Sequence, residues 1–157
     1  MEELYSANAQ RAARLAYFLV GDRELAQDLV QEAFLKVFAR WGNLRDPQSF
    51  AAYLNRTIVN LARKTHRRRT IERHYLDKQP RHEVVAPAGD YETADELWRW
   101  LQLLPQRQRT AVVLRYYEDL TDYQAAAAMG CSETAVASLV QRALGALRKN
   151  APAAEVS

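Results

Sequence analysis

The side chains in this sequence best suited to chemistry are cations. Arg56, Arg63, Lys64, Arg67, Arg68, Arg69 and Arg73 place seven positive charges within the eighteen residues 56–73. Phosphates are their natural counterpart, because each contact releases condensed counterions and makes binding salt-sensitive. A solvated helix end is the other reading of the same run. Trp41, Phe50 and Tyr53 stand just upstream, and ring faces beside a basic groove suit the stacking of unpaired bases. As core residues they would do nothing of the kind, and Phe50 is expected in the core. Other chemistries lack their parts. His66, His74 and His82 follow no metal-ligand spacing. Cys131 is the only cysteine, so no internal disulfide can form, and a small apolar turn residue is expected there. There is no phosphate-binding glycine loop, paired-histidine metal motif or nucleophile elbow. Asp28 and Glu32 lie one helical turn apart, but no third group completes a catalytic or metal site. The expectation is a protein that is not an enzyme and needs no metal or cofactor.

The elements that must carry these residues read as all-helical. Of the 157 residues, 48% are apolar, and only five Gly and five Pro occur. Sustained period-two alternation and Asn-Gly or Asp-Gly hairpin signals are missing. No apolar stretch reaches membrane-spanning length, and residues 1–24 lack a signal-peptide order, so a cytoplasmic protein is expected. Charge is segregated: net −1 over 1–47, +6 over 48–74, −4 over 75–96 and +2 over 97–157. Helical spacing of Leu4, Ala12, Leu15, Ala16 and Leu19 predicts a helix over about 3–20, closed by Gly21. A second helix is expected over about 23–41, on the stripe Leu25, Leu29, Val30, Ala33, Phe34, Val37, Phe38. Asp46-Pro47 starts a third helix, running to about 69 or beyond.

Two prolines and a glycine break the pattern, so a flexible acidic linker is expected over 76–92, between domains at 1–75 and 93–150, with a disordered tail at 151–157. In the second domain Pro105 starts a helix with Ala111, Val112, Leu114 and one of Tyr116 or Tyr117 inward. Thr121 with Gln124 forms a capping box opening a short helix to Met129. Gly130-Cys131-Ser132 turns the chain, and a last helix runs over about 132–149 with Val136, Val140, Ala143, Leu144 and Leu147 inward. Residues 121–148 thus read as a helix–turn–helix whose second helix would enter a major groove. A plain helical hairpin has the same geometry.

DRELAQDLVQEAFLKVFARW (22–41), YLNRTIVNLARKTHRRR (53–69) and LPQRQRTAVVLRYYEDLTDYQAAAAMGCSETAVASLVQRALGALRK (104–149) together resemble the extracytoplasmic-function (ECF, group IV) sigma factors of the sigma-70 family. The resemblance implies two small helical domains, region 2 and region 4, and a protein that directs bacterial RNA polymerase to promoters. Asp28, Gln31, Glu32 and Phe34 match the motif that docks on the clamp helices of the largest polymerase subunit. Trp41, Asn43, Asn55, Arg56, Asn60, Arg63, Lys64 and Arg67 fall where the family touches the opened −10 element. Capturing an extruded base there offsets part of the cost of unstacking it. The acidic linker resembles the segment threading toward the active centre. Region 4 would hold the flap of the second-largest subunit and read the −35 element.

The departure from the family lies in the recognition helix. From Ser132 to Val140 it has no Lys or Arg, and Ala137 and Leu139 replace the usual basic residues. Base readout favours Arg, Lys, Asn or Gln at groove-facing positions. Weak −35 contact would then fall to Arg115, Ser132, Thr134, Ser138 and Arg142, with Leu139 partly buried. Alternatively, Ala137 and Leu139 form an exposed apolar patch for a protein such as an activator or anti-sigma factor. Two rivals from other classes are a helix–turn–helix repressor and a sigma-like adaptor. The first would need a ligand or dimerisation domain, and the second would bind polymerase without reading a −35 element.

Overall fold

The computed structural model describes residues 2–40, 46–76 and 90–150, and every regular element among them is helical. The first half consists of α1 (Glu2–Val20), α2 (Arg23–Ala39) and α3 (Pro47–Leu76), each packed on the other two. Gly21 ends α1 at φ 76°, and the Asp22 carboxylate caps α2 by accepting from the Leu25 amide at 3.0 Å. Leu15, Leu19, Phe50, Leu54 and Ile58 are fully buried. Phe34, Phe38 and Phe50 cluster with ring centroids 5.3–6.2 Å apart, and Tyr5 closes over Phe34 at 4.8 Å. Phe50 is therefore a core residue, as its place on the apolar stripe implies.

The second half holds α4 (Asp90–Leu101), α5 (Gln106–Val112), α6 (Asp122–Met129) and α7 (Glu133–Asn150). Thr121 and Gln124 form the expected capping box: the Gln124 amide donates to Thr121 Oγ1 at 3.1 Å, and the Thr121 amide donates to Gln124 Oε1 at 2.9 Å. Gly130 turns the chain at φ 70°, and its amide and that of Cys131 both donate to the Ala126 carbonyl. Val136, Val140 and Ala143 are buried, whereas Leu144 and Leu147 are only partly so.

Two boundaries and one expected core position differ from the sequence reading. Leu76 still belongs to α3 and α4 already starts at Asp90; the rest of the expected linker (77–89) and the tail 151–157 lie outside the described residues. Tyr116 and Tyr117 are not in the core. The cause is a π-helical turn, Val113–Tyr117, which follows α5 directly. Its wider ladder, with the Glu118 amide donating to the Val113 carbonyl at 2.9 Å, shifts the register of the last residues relative to an α-helix. Periodicity at 3.6 residues cannot anticipate that shift.

The halves also pack on each other. The buried residues form one continuous cluster, in which α1 meets α4 and α5 and α3 meets α6. Ala125, Ala126 and Ala128 are buried on α6, and their small side chains let it approach α3 as well as α7.

Candidate nucleic-acid interface

Helix α3 has two buried faces and one cationic face. Phe50, Leu54, Ile58 and Thr65 share one arc, and Asn55, Val59 and Ala62 share a second beside it, rotated by about 100° at 3.6 residues per turn. The remaining arc exposes Arg56, Arg63, Lys64 and Arg67, with Asn60 half-buried among them. Arg63 donates to Asn60 Oδ1 at 3.1 Å, holding the two side chains together. Asn55, at 5% exposure, lies off the cationic face, because the single-residue step from Leu54 turns it by about 100° into the second buried stripe. Arg69 also leaves the basic run, donating to the Val20 carbonyl at 3.0 Å. Tyr53 keeps an exposed ring edge, and its hydroxyl lies 3.4 Å from the Arg40 guanidinium. Trp41, Asn43 and the Arg73 side chain lie outside the described residues.

On α2, Asp28, Gln31 and Glu32 are exposed on one face. Phe34 is not part of it, being 3% exposed within the aromatic cluster. The apolar member of that face is Leu35, at 68% exposure. Its spacing, seven after Asp28 and three or four after Gln31 and Glu32, is the signal that sequence reasoning passed over.

Just before the helix–turn–helix, Arg115 lies half-buried in the π turn. It donates to the Leu120 carbonyl and pairs with Asp122 at 2.7 Å, so it fastens the π turn to the start of α6. The Ser132 hydroxyl accepts from the Ala135 amide at 3.0 Å and caps α7. Thr134, Ala137 and Arg142 are exposed and Ser138 is half-buried. Leu139 is only 8% exposed, so the Ala137–Leu139 apolar patch does not form: Leu139 sits beside Val136, Val140 and Ala143 on the face that packs inward. Among the described residues no cluster of His, Cys, Asp or Glu could hold a metal ion.

Sequence reasoning also missed Arg109. This guanidinium, 8% exposed, donates to three carbonyls, Leu101 at 3.1 Å, Leu104 at 3.0 Å and Leu19 at 3.0 Å. Two are helix-end carbonyls that lack intrahelical donors. Burial pushes Arg109 down to about 10, and neighbouring Arg69 acts in the same direction. The available signal was an arginine three and four residues before Val112 and Val113, on an otherwise apolar stripe.

The molecule is thus an all-helical protein in two parts, with a cationic helix face in one half and a helix–turn–helix in the other. Residues 4–71 match the family description Sigma-70 region 2, and residues 94–147 match Sigma-70, region 4. The chain belongs to the sigma-70 family, in its ECF or group IV branch, and is a sigma factor, a transcription regulator without catalytic activity. It is 32% identical over 148 residues to an RNA polymerase sigma-E factor of Streptomyces avermitilis, covering 94% of this chain and 83% of that one. The sigma-E factor of Streptomyces coelicolor is also 32% identical, with 94% and 84% covered. Its fold is similar to that of the sigma factor RpoE from Bartonella quintana, solved in complex with the anti-sigma factor NepR, with a TM-score of 0.80, 23% identity and 94% of each chain covered.

Proposed function

We propose that this sigma factor binds core RNA polymerase through α2 and reads promoters mainly through α3. Asp28, Gln31 and Glu32, with Leu35 in place of Phe34, offer charge and exposed apolar surface on one helix face, a combination suited to the clamp helices of the largest subunit. The observation that carries the promoter reading is the segregation along α3: Arg56, Arg63, Lys64 and Arg67 share one solvent-facing arc, suited to the phosphates of opened −10 DNA. Asn60 and Tyr53 lie along the same arc and supply hydrogen bonding and a ring edge. Region 4 would hold the flap of the second-largest subunit. Its −35 reading is weak, because only Thr134, Ser138, Arg142 and the exposed Gln141 remain for base contact. Arg115 and Ser132 already have internal partners. A partner anti-sigma factor or activator is a further expectation, supported by the complex in which the Bartonella relative was solved.

The weakness of α7 also favours a second reading, an adaptor that binds polymerase without initiating. The test is to mix the protein with bacterial core RNA polymerase and assay initiation on a pool of genomic promoter fragments. Specific transcripts with a shared −10 sequence and a weak or absent −35 sequence are expected. Binding without transcripts would select the adaptor, and no binding would remove both readings.

A further inference from the structure

The cationic arc of α3 carries no acid, for the helix holds no Asp or Glu from Pro47 to Ile71. Arg56, Arg63, Lys64 and Arg67 can only donate, because guanidinium and ammonium groups have no acceptor. Asn60 is the one side chain among them with a carbonyl oxygen, and that oxygen is occupied: Arg63 Nη2 donates to Asn60 Oδ1 at 3.1 Å. The neighbours dictate this orientation. Residues three and four apart are adjacent on a helix, which sets Arg56, Arg63 and Lys64 around Asn60 on the exposed side. An amide beside such cations can pair with them only through its oxygen. Its nitrogen, with two donor hydrogens, is thereby turned away from them and outward. Tyr53, at the start of the arc, repeats the pattern. Its hydroxyl oxygen accepts from Arg40 Nη1 at 3.4 Å, which leaves its own proton to donate. Thr57 lies half-buried at the edge of the arc, with its hydroxyl donating to the Tyr53 carbonyl at 2.8 Å.

A fixed donor distinguishes bases that a cation does not. Contacts to phosphate carry no sequence information directly. Bases differ in the group on one ring carbon: thymine O4 and guanine O6 are acceptors, whereas adenine N6 and cytosine N4 are donors. A donor held opposite that group gains a hydrogen bond from the first pair. Against the second pair two donors meet, and each gives up water without a partner in exchange.

We propose that Arg63 is a positioning residue that turns the Asn60 amide nitrogen toward an unpaired base of the opened −10 element. That donor selects keto bases, thymine or guanine, over amino bases, adenine or cytosine, at the position it meets. The inference rests on the sigma-factor reading and goes beyond it in naming the base class that α3 accepts. Arg63 then acts twice, by its charge on phosphate and by one N–H on Asn60. Arg67, exposed one turn further along and seven residues from Asn60, shares only the first action.

The test uses the full chain with bacterial core RNA polymerase, on promoter fragments randomised across the −10 element. Transcripts are counted for each base at each position, and DNA binding is titrated at several salt concentrations. With the wild-type protein, keto bases should outperform amino bases about 5- to 10-fold at one or two positions. Arg63→Leu and Arg67→Leu remove the same charge, so each should reduce the salt slope by about 1. Only Arg63→Leu should bring the keto preference close to unity. Arg63→Lys keeps both charge and donors and should retain slope and preference. Asn60→Asp presents acceptors alone and should abolish the preference or reverse it toward adenine and cytosine. Circular dichroism checks that each variant is folded. A wild-type profile without a keto preference would overturn the proposal, as would a preference that survives Arg63→Leu or is lost equally in Arg67→Leu. Absence of any promoter-specific transcript from the wild-type protein would overturn the sigma-factor reading instead.

Discussion

Helix α3 and helix α7 are the two helices proposed to meet DNA, and they differ in how many cations they leave in solvent. On α3 the buried groups are apolar apart from Asn55 and Thr65, and Arg56, Arg63, Lys64 and Arg67 stay in solvent. At α7 two of the candidate polar groups are already engaged, Ser132 as the cap and Arg115 in its pair with Asp122, and Arg142 is the exposed cation that remains among them. A helix whose cations are solvated retains long-range attraction for phosphate, whereas one with few cations and an occupied cap must rely on short-range contacts. The comparison teaches that position in a DNA-binding motif does not make a residue available to DNA.

The largest effect should come from stripping the α3 face. Replacing Arg63, Lys64 and Arg67 together by alanine should lower DNA affinity of the polymerase complex by about 100-fold or more and reduce the salt slope by about 3. Titrations at several salt concentrations would show it. An unchanged slope would mean that these cations do not meet phosphate. On α7, Arg142→Ala should change the slope by about 1 at most, with a several-fold loss. A loss equal to that on α3 would erase the contrast between the helices.

Arg115→Ala discriminates next. As a clamp between the π turn and α6, its loss should lower stability by roughly 1–2 kcal/mol, seen in thermal melts, with DNA affinity unchanged. Unchanged melting with weaker −35 binding would return Arg115 to the DNA interface. Thr121→Ala removes one partner of the capping box and should cost about 1 kcal/mol. The smallest effect is a pH dependence at the Arg11–Glu118 pair. Burial holds the Glu118 carboxyl above the ordinary carboxylate range, against the opposing pull of Arg11. Protonation therefore favours the packed form relative to one in which Glu118 is solvated. The stabilisation is fully present below the ordinary carboxylate pKa and is lost as pH rises through the raised value. Glu118→Gln should flatten compaction against pH across that window, measured by scattering. A curve that keeps its shape would assign the dependence to another group.

Periodicity located α1, α2, α3, α6 and α7 to within a few residues, because each carries a local signal: Gly21 and Asp22 between α1 and α2, Pro47 at the start of α3, Thr121 and Gln124 at α6, Gly130 before α7. The cationic face of α3 was legible for the same reason, since exposure along one helix follows from spacing. Errors arose where burial depends on a neighbour distant in sequence. Asn55 lies on a second stripe because α3 has a second buried face, and Phe34 is buried while Leu35 is exposed because α2 turns its aromatic residue toward Phe50. Leu139 disappeared as a patch because α7 packs on α5 and α6 along that side.

What the sequence alone determined was the helical class, the two-part organisation and the family, since helix signals and motif order are carried by residues close along the chain. Only the tertiary structure decided that Arg109 joins the ends of α1 and α4, that a π turn carries Glu118 to Arg11, and that region 4 lies against region 2. Those contacts join residues up to 107 positions apart. Their formation depends on desolvation and geometric fit between whole helices, which no local pattern encodes.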